Sequence, residues 1–290
     1  MLESTLKFIR CLKCNSNLNV EIYKDSNEID EGILKCEKCQ LKFPIIDKIP
    51  IMFIDFKKYI SEHKILSGKL YKLASSNEIK NFLKLSLNNV IWNKIDKTEI
   101  EERWAQIYNT NKNNKFYKII KSYFESIPKS KLVLEYGCSI GITTKYISDS
   151  SEMVFGIDKS FNAIHLAKKI QKNNLDYIVS DFASTPFKNK KFDLIVGLNI
   201  LELMEPNILL KQISKQISSG YIMITDPYDY ERGINSVKHP INELLLRKNL
   251  RELKFKINKE TEKPSFIPWN LKLYDRASLN YKVDIVIAKK

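Results

Sequence analysis

The sequence of 290 residues is long enough for one large and one small domain, and 43% of its residues are hydrophobic while 28% are charged. This composition excludes disordered and fibrous classes of protein. No apolar run approaches the ~20 residues that a membrane-spanning helix needs. The first residues also lack the apolar core of a signal peptide, so we expect a cytoplasmic protein with no membrane partner.

The formal net charge of +14 is unevenly spread along the chain. The basic excess lies in residues 61–130 and 231–290, on either side of a neutral centre. Basic segments of this kind are typical of proteins that bind nucleic acid. The alternative is a compositional bias, because Lys rather than Arg accounts for all but six of the 48 basic residues.

Four of the five cysteines form two pairs near the start of the chain, Cys11-x2-Cys14 and Cys36-x2-Cys39. Two such pairs at this distance predict a tetrahedral zinc site. Disulfides are the alternative, but they are rare in a chain with no export signal. With four cysteine ligands no coordination position stays open for water, so we expect the zinc to be structural.

The residues around these cysteines read RCLKCNSNL…GILKCEKCQLKFPIIDKIPIM. This stretch, residues 7–54, resembles the small zinc-ribbon activator subunits of methyltransferases that act on tRNA, rRNA and release factors. The resemblance implies a zinc-ribbon domain over residues 1–54 and a role in docking against a catalytic domain. It implies no particular substrate.

Residues 55–130 carry apolar side chains at helical spacing, for example from Phe116 to Ile127, and predict a helical connector. From residue 131 short apolar runs alternate with helical patterns, which predicts a doubly wound α/β domain over residues 131–290. Ser160 is a predicted N-cap, and Pro206 is predicted to open a further helix. LKFKIN and YKVDIVIAKK have no helix pattern between them, so we expect them to pair antiparallel at one edge.

The first predicted strand of this domain leads into the loop LEYGCSIG, residues 134–141. A dinucleotide site would place a pyrophosphate at such a loop, but Glu135 puts a negative charge there and the third glycine falls one residue early. Asp158 and Asp181 follow the next two predicted strands. A ligand with a sulfonium and an ammonium group but no phosphate fits these carboxylates, which points to S-adenosylmethionine.

Four segments in order, VLEYGCSIG, VFGIDKS, SDFASTPFKNKKFDLIVGLNILELM and YIMITDP, extend this pattern over residues 131–228. They resemble the motifs of class I S-adenosylmethionine-dependent methyltransferases of the ubiquinone/menaquinone-biosynthesis type. The resemblance implies a mostly parallel, seven-stranded, Rossmann-like sheet. It also implies that Asp158 binds the ribose, that Asp181 and the Phe182 backbone bind adenine, and that the loop passes under the methionine. The implied cofactor-binding residues are Glu135, Gly137, Cys138, Ser139, Gly141, Asp158, Lys159, Asp181, Phe182 and Asn199.

Two positions depart from the family pattern. Ser139 replaces the usual middle glycine, and Leu203 stands where many relatives carry His, so no general base carries over there. The three histidines have no evident catalytic partner in the sequence and are predicted to be surface residues. If a base is needed, Asp226 and Tyr228 after the fifth strand are the candidate catalytic residues. The alternative for both is an ordinary polar turn around Pro227.

Aromatic and basic residues outside the motifs are candidates for the acceptor pocket. Trp269 and Arg276 lie in PSFIPWNLKLYDR, predicted to be a covering insertion, and Trp104 and Tyr108 lie in the connector. Hydrophobic packing is the alternative for each.

The leading functional hypothesis is methyl transfer to an O or N atom of a small molecule by a monomer. The first alternative is methylation of tRNA, rRNA or a translation protein, with the ribbon as a fused activator. The second is a non-catalytic, cofactor-binding scaffold.

Overall fold

The computed structural model describes residues 1–188, 190–233 and 237–290 of the chain. The described residues contain twelve strands and nine α-helices. The strands are β1 (Asn19–Asp25), β2 (Ile29–Lys35), β3 (Lys42–Ile46), β4 (Ile49–Met52), β5 (Leu132–Tyr136), β6 (Met153–Asp158), β7 (Leu175–Ser180), β8 (Leu194–Leu198), β9 (Tyr221–Asp226), β10 (Lys256–Ile257), β11 (Ile267–Tyr274) and β12 (Ala277–Lys289). The helices are α1 (Phe56–Ser61), α2 (Lys64–Leu73), α3 (Asn77–Leu87), α4 (Lys97–Thr110), α5 (Lys115–Glu125), α6 (Ile142–Ser148), α7 (Phe161–Lys168), α8 (Pro206–Gln216) and α9 (Glu243–Glu252).

The contacts divide the chain into two compact units. The first contains residues 1–106, 139–141 and 157–188, and the second contains residues 107–138, 142–156 and 189–290. Strand β6 contributes its last two residues to the first unit and the rest to the second.

In the first unit the ribbon strands continue directly into the parallel part of the sheet. The order is β1-β2-β3-β4-β7, with antiparallel pairing up to β4. Strand β4 then pairs parallel with β7, through Ile51 opposite Val179 and Met52 opposite Ser180. Both strands are buried along their whole length. A strand buried on both faces is apolar at nearly every position, as IPIM is.

A buried ion-pair network joins the ribbon to α7 and β7 of this unit. The Lys168 ammonium, at the end of α7, pairs with Glu28 before β2 and with Asp176 of β7, the latter at 2.7 Å. The Thr5 hydroxyl donates to the second Asp176 oxygen at 2.6 Å. Burial alone would lower the pKa of Lys168, but the two carboxylates outweigh it and raise that pKa. Each buried charge therefore has the partner that its desolvation requires.

In the second unit the order is β5-β8-β9-β12-β10, with β11 paired to β12. Strands β5, β8 and β9 are parallel, and β12 runs antiparallel to β9 and β10. The antiparallel edge at the end of the chain confirms the prediction from LKFKIN and YKVDIVIAKK.

The count of seven strands was too low, because the ribbon contributes four strands and because β11 was not predicted. PSFIPWNLKLYDR, expected as an insertion, mostly forms this strand. Ile267, Trp269 and Leu271 are buried while the residues between them are exposed, the alternation of a half-buried strand.

Candidate functional site

The four cysteines of the ribbon gather into one cluster, as their spacing predicts. Their sulfur atoms all lie within 4.8 Å of one another. The distances are 3.4 Å from Cys11 to Cys39, 3.3 Å from Cys14 to Cys36 and 3.7 Å from Cys14 to Cys39. Sulfurs at about 2.3 Å from a tetrahedral zinc ion would be separated by about 3.8 Å. The cluster therefore fits a four-cysteine metal site.

In the first unit, Asp158 ends β6 and is held by the backbone on both sides. Its Oδ2 accepts from Ser139 N and its Oδ1 from Ser160 N, each at 2.9 Å. Burial raises the pKa of Asp158, and these two hydrogen bonds only partly offset that effect. Each carboxylate oxygen has a second acceptor position, so the fixed side chain can also accept from a ligand hydroxyl. Ser160 caps α7 through Ala163 N at 3.2 Å, which confirms the predicted N-cap.

The two outer glycines of the loop occupy conformations that only glycine adopts without strain. Gly141 has φ +73°, and a Cβ there would lie 2.3 Å from the Tyr177 hydroxyl. Gly137 has φ +65°, and a Cβ would lie 2.6 Å from the Ile200 side chain. Ser139, the departure from the family pattern, also has a positive φ of 48°. The residues fit a backbone that turns sharply to approach a ligand closely.

Asp181 follows β7 in the first unit and caps a single 3-10 turn, Phe182–Ser184. Its Oδ1 accepts from Ala183 N at 2.9 Å, and the side chain is partly exposed. The Lys159 carbonyl accepts from the Tyr59 hydroxyl at 3.3 Å. The predicted adenine residues thus follow the end of β7, and the predicted ribose residues are the last residue of β6 and the residue after it.

In the second unit, Glu135 lies in β5 with 2% of its surface exposed. The Thr144 hydroxyl, from α6, donates to Glu135 Oε2 at 2.7 Å. Asn199 follows β8 with φ +56°, and its Oδ1 accepts from the Thr225 hydroxyl at 2.8 Å. Cys138 is also buried in this unit. The hydrogen bonds fix the orientation of the Glu135 and Asn199 side chains.

The two candidate catalytic residues each have identified partners. Asp226 is fully buried, and its two oxygens accept from Leu201 N at 2.7 Å and Tyr228 N at 2.8 Å. The Tyr228 hydroxyl donates to Asp284 at 3.0 Å. Burial, followed by the charge of Asp284, raises the pKa of Tyr228. Their role as a general base stays a prediction.

Trp269 is the centre of an aromatic cluster in the second unit. Tyr108 stacks on it with ring centres 6.3 Å apart, and Phe116 and Tyr281 each lie 5.5 Å away. Arg276 is exposed in the turn between β11 and β12. Arg276 lies seven positions after Trp269 and beyond the end of β11, on the order of 20 Å away, so the structure does not bring this pair together. Trp104 lies on α4 within the first unit.

The prediction of surface positions was wrong for one histidine. His63 is only 3% exposed, and its Nε2 contacts Glu101 Oε1 at 3.1 Å. Sequence reasoning missed this pair because 38 residues separate its members. His165 is half-buried and His239 exposed.

Across the parts of the chain that the structure describes, no helix combines the length and the apolarity required to traverse a lipid bilayer.

The mostly parallel strands, the glycine loop and the carboxylates at strand ends define a Rossmann-like methyltransferase fold. Residues 134–224 match the family described as methyltransferase domain, and residues 3–47 match the Trm112p-like protein family. The chain therefore carries a methyltransferase domain preceded by a Trm112p-like domain.

A curated relative from Anoxybacillus flavithermus, named an uncharacterized methyltransferase, is 29% identical over 107 residues. The match covers 34% of this chain and spans half the length of that relative.

Among solved structures, a complex between the Haloferax volcanii Trm112 methyltransferase activator and a methyltransferase matches with a TM-score of 0.52 and 13% identity. That match covers 66% of this chain and 96% of the other. The magnesium protoporphyrin IX methyltransferase of Synechocystis with bound S-adenosylhomocysteine has a TM-score of 0.49 and 14% identity, covering 67% of this chain and 95% of that one.

Proposed function

We propose that the protein is an S-adenosylmethionine-dependent methyltransferase. The observation that carries this proposal is Asp158, a half-buried carboxylate at the end of a strand whose oxygens both accept from backbone N–H groups. One of these N–H groups belongs to Ser139 in the glycine loop, so the loop and the ribose-binding residue are fixed together. A rigid acceptor in this place suits the ribose of a nucleoside cofactor.

The cofactor, when bound, supplies an electrophilic methyl group and its leaving group. The protein's own residues then bind the cofactor, orient the acceptor toward the methyl group and exclude water. We assign the ribose to Asp158 and Lys159 and the adenine to Asp181 and Phe182. The methionine portion is assigned to the loop residues and to Asn199, namely Glu135, Gly137, Cys138, Ser139, Gly141 and Asn199. The Glu135 carboxylate lies near the end of β5, and its negative charge favours an ammonium group over a phosphate there.

We infer that the methyl acceptor is an O or N nucleophile of a small molecule. This choice rests on the resemblance of the catalytic core to methyltransferases that act on small molecules. Only 2% of the surface of Trp269 is exposed, so the aromatic cluster around it is packed interior, and Trp269 and Tyr108 stay candidates for contacts with the acceptor. Trp104 and Arg276 stay candidates for contacts with the acceptor. Asp226 and Tyr228 stay candidates for a base, although their present contacts already anchor the loop after β9.

For the ribbon we propose one zinc ion held by Cys11, Cys14, Cys36 and Cys39, serving folding rather than chemistry. Cysteine ligands stay reduced in the cytoplasm, so we propose that the protein is cytoplasmic. We also propose that it is a monomer.

The second candidate function is methylation of tRNA, rRNA or a translation protein. It is favoured by the Trm112p-like domain and by a basic groove of about 380 Å³ in the first unit. Lys72, His165 and Lys169 line this groove with Lys69, and Glu102 pairs with Lys69. If the groove binds RNA, affinity falls steeply with salt as counterions are released. A filter-binding titration with tRNA at two salt concentrations, on the unchanged protein and on Lys72→Glu/Lys169→Glu, tests this candidate.

The experiment that separates these functions is incubation with methyl-labelled S-adenosylmethionine and fractionated cell extract. Label in the small-molecule fraction supports the first candidate, and label in RNA or protein supports the second. Label in no fraction, from a protein that still binds the cofactor, favours the non-catalytic scaffold. The Asp158→Ala variant is the control for background methylation.

A further inference from the structure

Glu101 lies on α4 in the first unit, and His63 fixes the direction of its carboxylate. His63 Nε2 is 3.1 Å from Glu101 Oε1, and His63 Nδ1 is 2.7 Å from the Tyr59 carbonyl. Both partners accept hydrogen bonds, so the two ring nitrogens must both donate, and His63 is the imidazolium. Burial alone would lower the pKa of His63, but the hydrogen bond and charge of Glu101 outweigh it and raise that pKa.

The other oxygen of this carboxylate, Oε2, has no partner. It is buried and accepts no hydrogen bond from any residue that the structure describes, while the whole side chain is 13% exposed. A buried carboxylate oxygen without a donor is costly, and such atoms in folded proteins call for an explanation. A ligand that donates a hydrogen bond to this oxygen would satisfy it.

The charge of Glu101 acts on Asp158, the proposed ribose-binding residue. After burial and the two backbone bonds, the negative charge of Glu101 contributes to the raised pKa of Asp158. Hydrogen bonds join the helices around Glu101 to the residues that flank Asp158. The Tyr59 hydroxyl donates to the Lys159 carbonyl at 3.3 Å, and the Asn162 amide donates to the Thr98 carbonyl at 3.3 Å. Two carboxylates in one buried region repel each other unless donors lie between them.

We propose that Glu101 is a second ribose-binding residue, whose Oε2 accepts a hydrogen bond from one ribose hydroxyl of S-adenosylmethionine while Asp158 accepts from the other. This inference rests on the proposed cofactor. It adds to the glycine-loop residues a contact from the helical segment, outside residues 134–224. One hydroxyl of a vicinal diol can donate to the unpartnered Oε2 of Glu101, and the other can donate to a second acceptor position of Asp158. A ligand without these hydroxyls leaves Oε2 without a donor.

The test is isothermal titration calorimetry with S-adenosylhomocysteine on the unchanged protein, Glu101→Gln and Glu99→Gln. Gln keeps the shape of the side chain and can still accept a hydrogen bond from His63 Nε2, but it loses the charged acceptor. We expect affinity to fall about tenfold to 100-fold in Glu101→Gln, the range for a lost charge-assisted hydrogen bond. Glu99 lies on the same helix and is exposed, so its variant should bind as the unchanged protein does.

A second measurement separates ribose binding from a purely structural role. The 2′-deoxy and 3′-deoxy forms of S-adenosylhomocysteine each lack one hydroxyl. In Glu101→Gln, removal of the hydroxyl that Glu101 binds should cost no further affinity, whereas in the unchanged protein it should. Glu101→Asp keeps the charge, but its shorter side chain moves the carboxylate away from the ribose, so it should respond to the deoxy ligands as Glu101→Gln does. Agreement between the two variants would show that the result is not caused by misfolding of one of them.

Equal losses for all three ligands, or unchanged affinity in Glu101→Gln, would overturn the role of Glu101 while leaving the cofactor assignment intact. Failure of the unchanged protein to bind S-adenosylhomocysteine would overturn both together.

Discussion

Arg247 and Asp284 form a buried two-pronged ion pair in the second unit. Nη1 contacts Oδ2 at 2.6 Å and Nη2 contacts Oδ1 at 3.0 Å, with about 3% of each side chain exposed. The guanidinium also donates to backbone carbonyls, among them those of Thr261 and Glu243, so the pair joins α9 to β12 and to the segment before β11.

Replacement of Asp284 by Asn should therefore destabilise the protein by about 3–5 kcal/mol, because it leaves the buried guanidinium without its counter-charge. Urea denaturation followed by circular dichroism measures this loss. On the same helix Arg251 pairs with Glu262 at the surface, with both side chains about half exposed. Arg251→Ala should cost no more than about 1 kcal/mol. Similar losses in both variants would show that the buried pair has no special role.

Asp158→Ala should weaken binding of S-adenosylhomocysteine. Each charge-assisted hydrogen bond to the ribose that is lost costs at most about 1.5–3 kcal/mol. Calorimetry measures the affinity, and Asp275→Ala is the matched control, since that carboxylate is 96% exposed in a turn. Unchanged affinity in Asp158→Ala would refute the proposed ribose site.

Metal analysis of protein purified without chelator should find one zinc ion per chain. Cys36→Ser should abolish the zinc and unfold the ribbon, because metal binding and folding of such a domain are coupled. Cys138→Ser removes the one cysteine outside the cluster and should keep the full zinc content. Absence of zinc with four free thiols in the unchanged protein would contradict the proposal.

Gly141→Ala should destabilise the protein by at least about 1–2 kcal/mol, since φ is +73° and the new methyl group would meet the Tyr177 hydroxyl. Gly68 in α2 has no atom within 4 Å of an added Cβ. Gly68→Ala should instead stabilise by about 0.5–1 kcal/mol, the preference of a helix for Ala. Thermal unfolding of both variants gives the comparison, and a shift in the same direction for both would refute the strain at Gly141.

His63 should make stability depend on pH above 6.5, the ordinary pKa of a histidine in the unfolded chain. Its folded-state pKa lies higher because of Glu101, despite burial. The folded protein therefore holds the extra proton more tightly, and this contribution to stability is complete below pH 6.5 and is lost as pH rises through the folded-state pKa.

The free energy of unfolding should thus decline more steeply above pH 6.5 in the unchanged protein than in His63→Gln. His239→Gln, at a side chain 75% exposed, is the control and should retain the steep decline. Parallel curves for the unchanged protein and His63→Gln would contradict the charged pair.

Patterns that are local in the sequence predicted this structure well. The spacing of the cysteines indicated their cluster, Ser160 before an amphipathic run indicated the start of α7, and Pro206 is the first residue of α8. Each depends on residues close along the chain or on a fixed ligand geometry. The loop geometry at Gly141 follows equally from local backbone sterics.

Features that join distant segments were not predicted. The sequence IPIM of β4 does not indicate pairing with β7, which begins more than a hundred residues later, because any apolar run offers the same backbone groups. The His63–Glu101 pair was not predicted either, because its members are 38 residues apart in the sequence. For β11 the signal was present, as Ile267, Trp269 and Leu271 alternate with more polar positions, although a proline such as Pro268 within an apolar run weakens the evidence for a strand.

The parallel pairing of β4 with β7 also constrains the order of events during synthesis. Residues 49–52 leave the ribosome long before residues 175–180, so one edge of β4 has no neighbouring strand while the residues between positions 52 and 175 are synthesised. An unpaired, apolar strand edge is a template for pairing with other chains. The contact also closes a very long loop, which slows folding. Fragments that end before residue 175 should therefore aggregate even with an intact cysteine cluster, and a nascent chain needs protection at this edge until β7 has emerged.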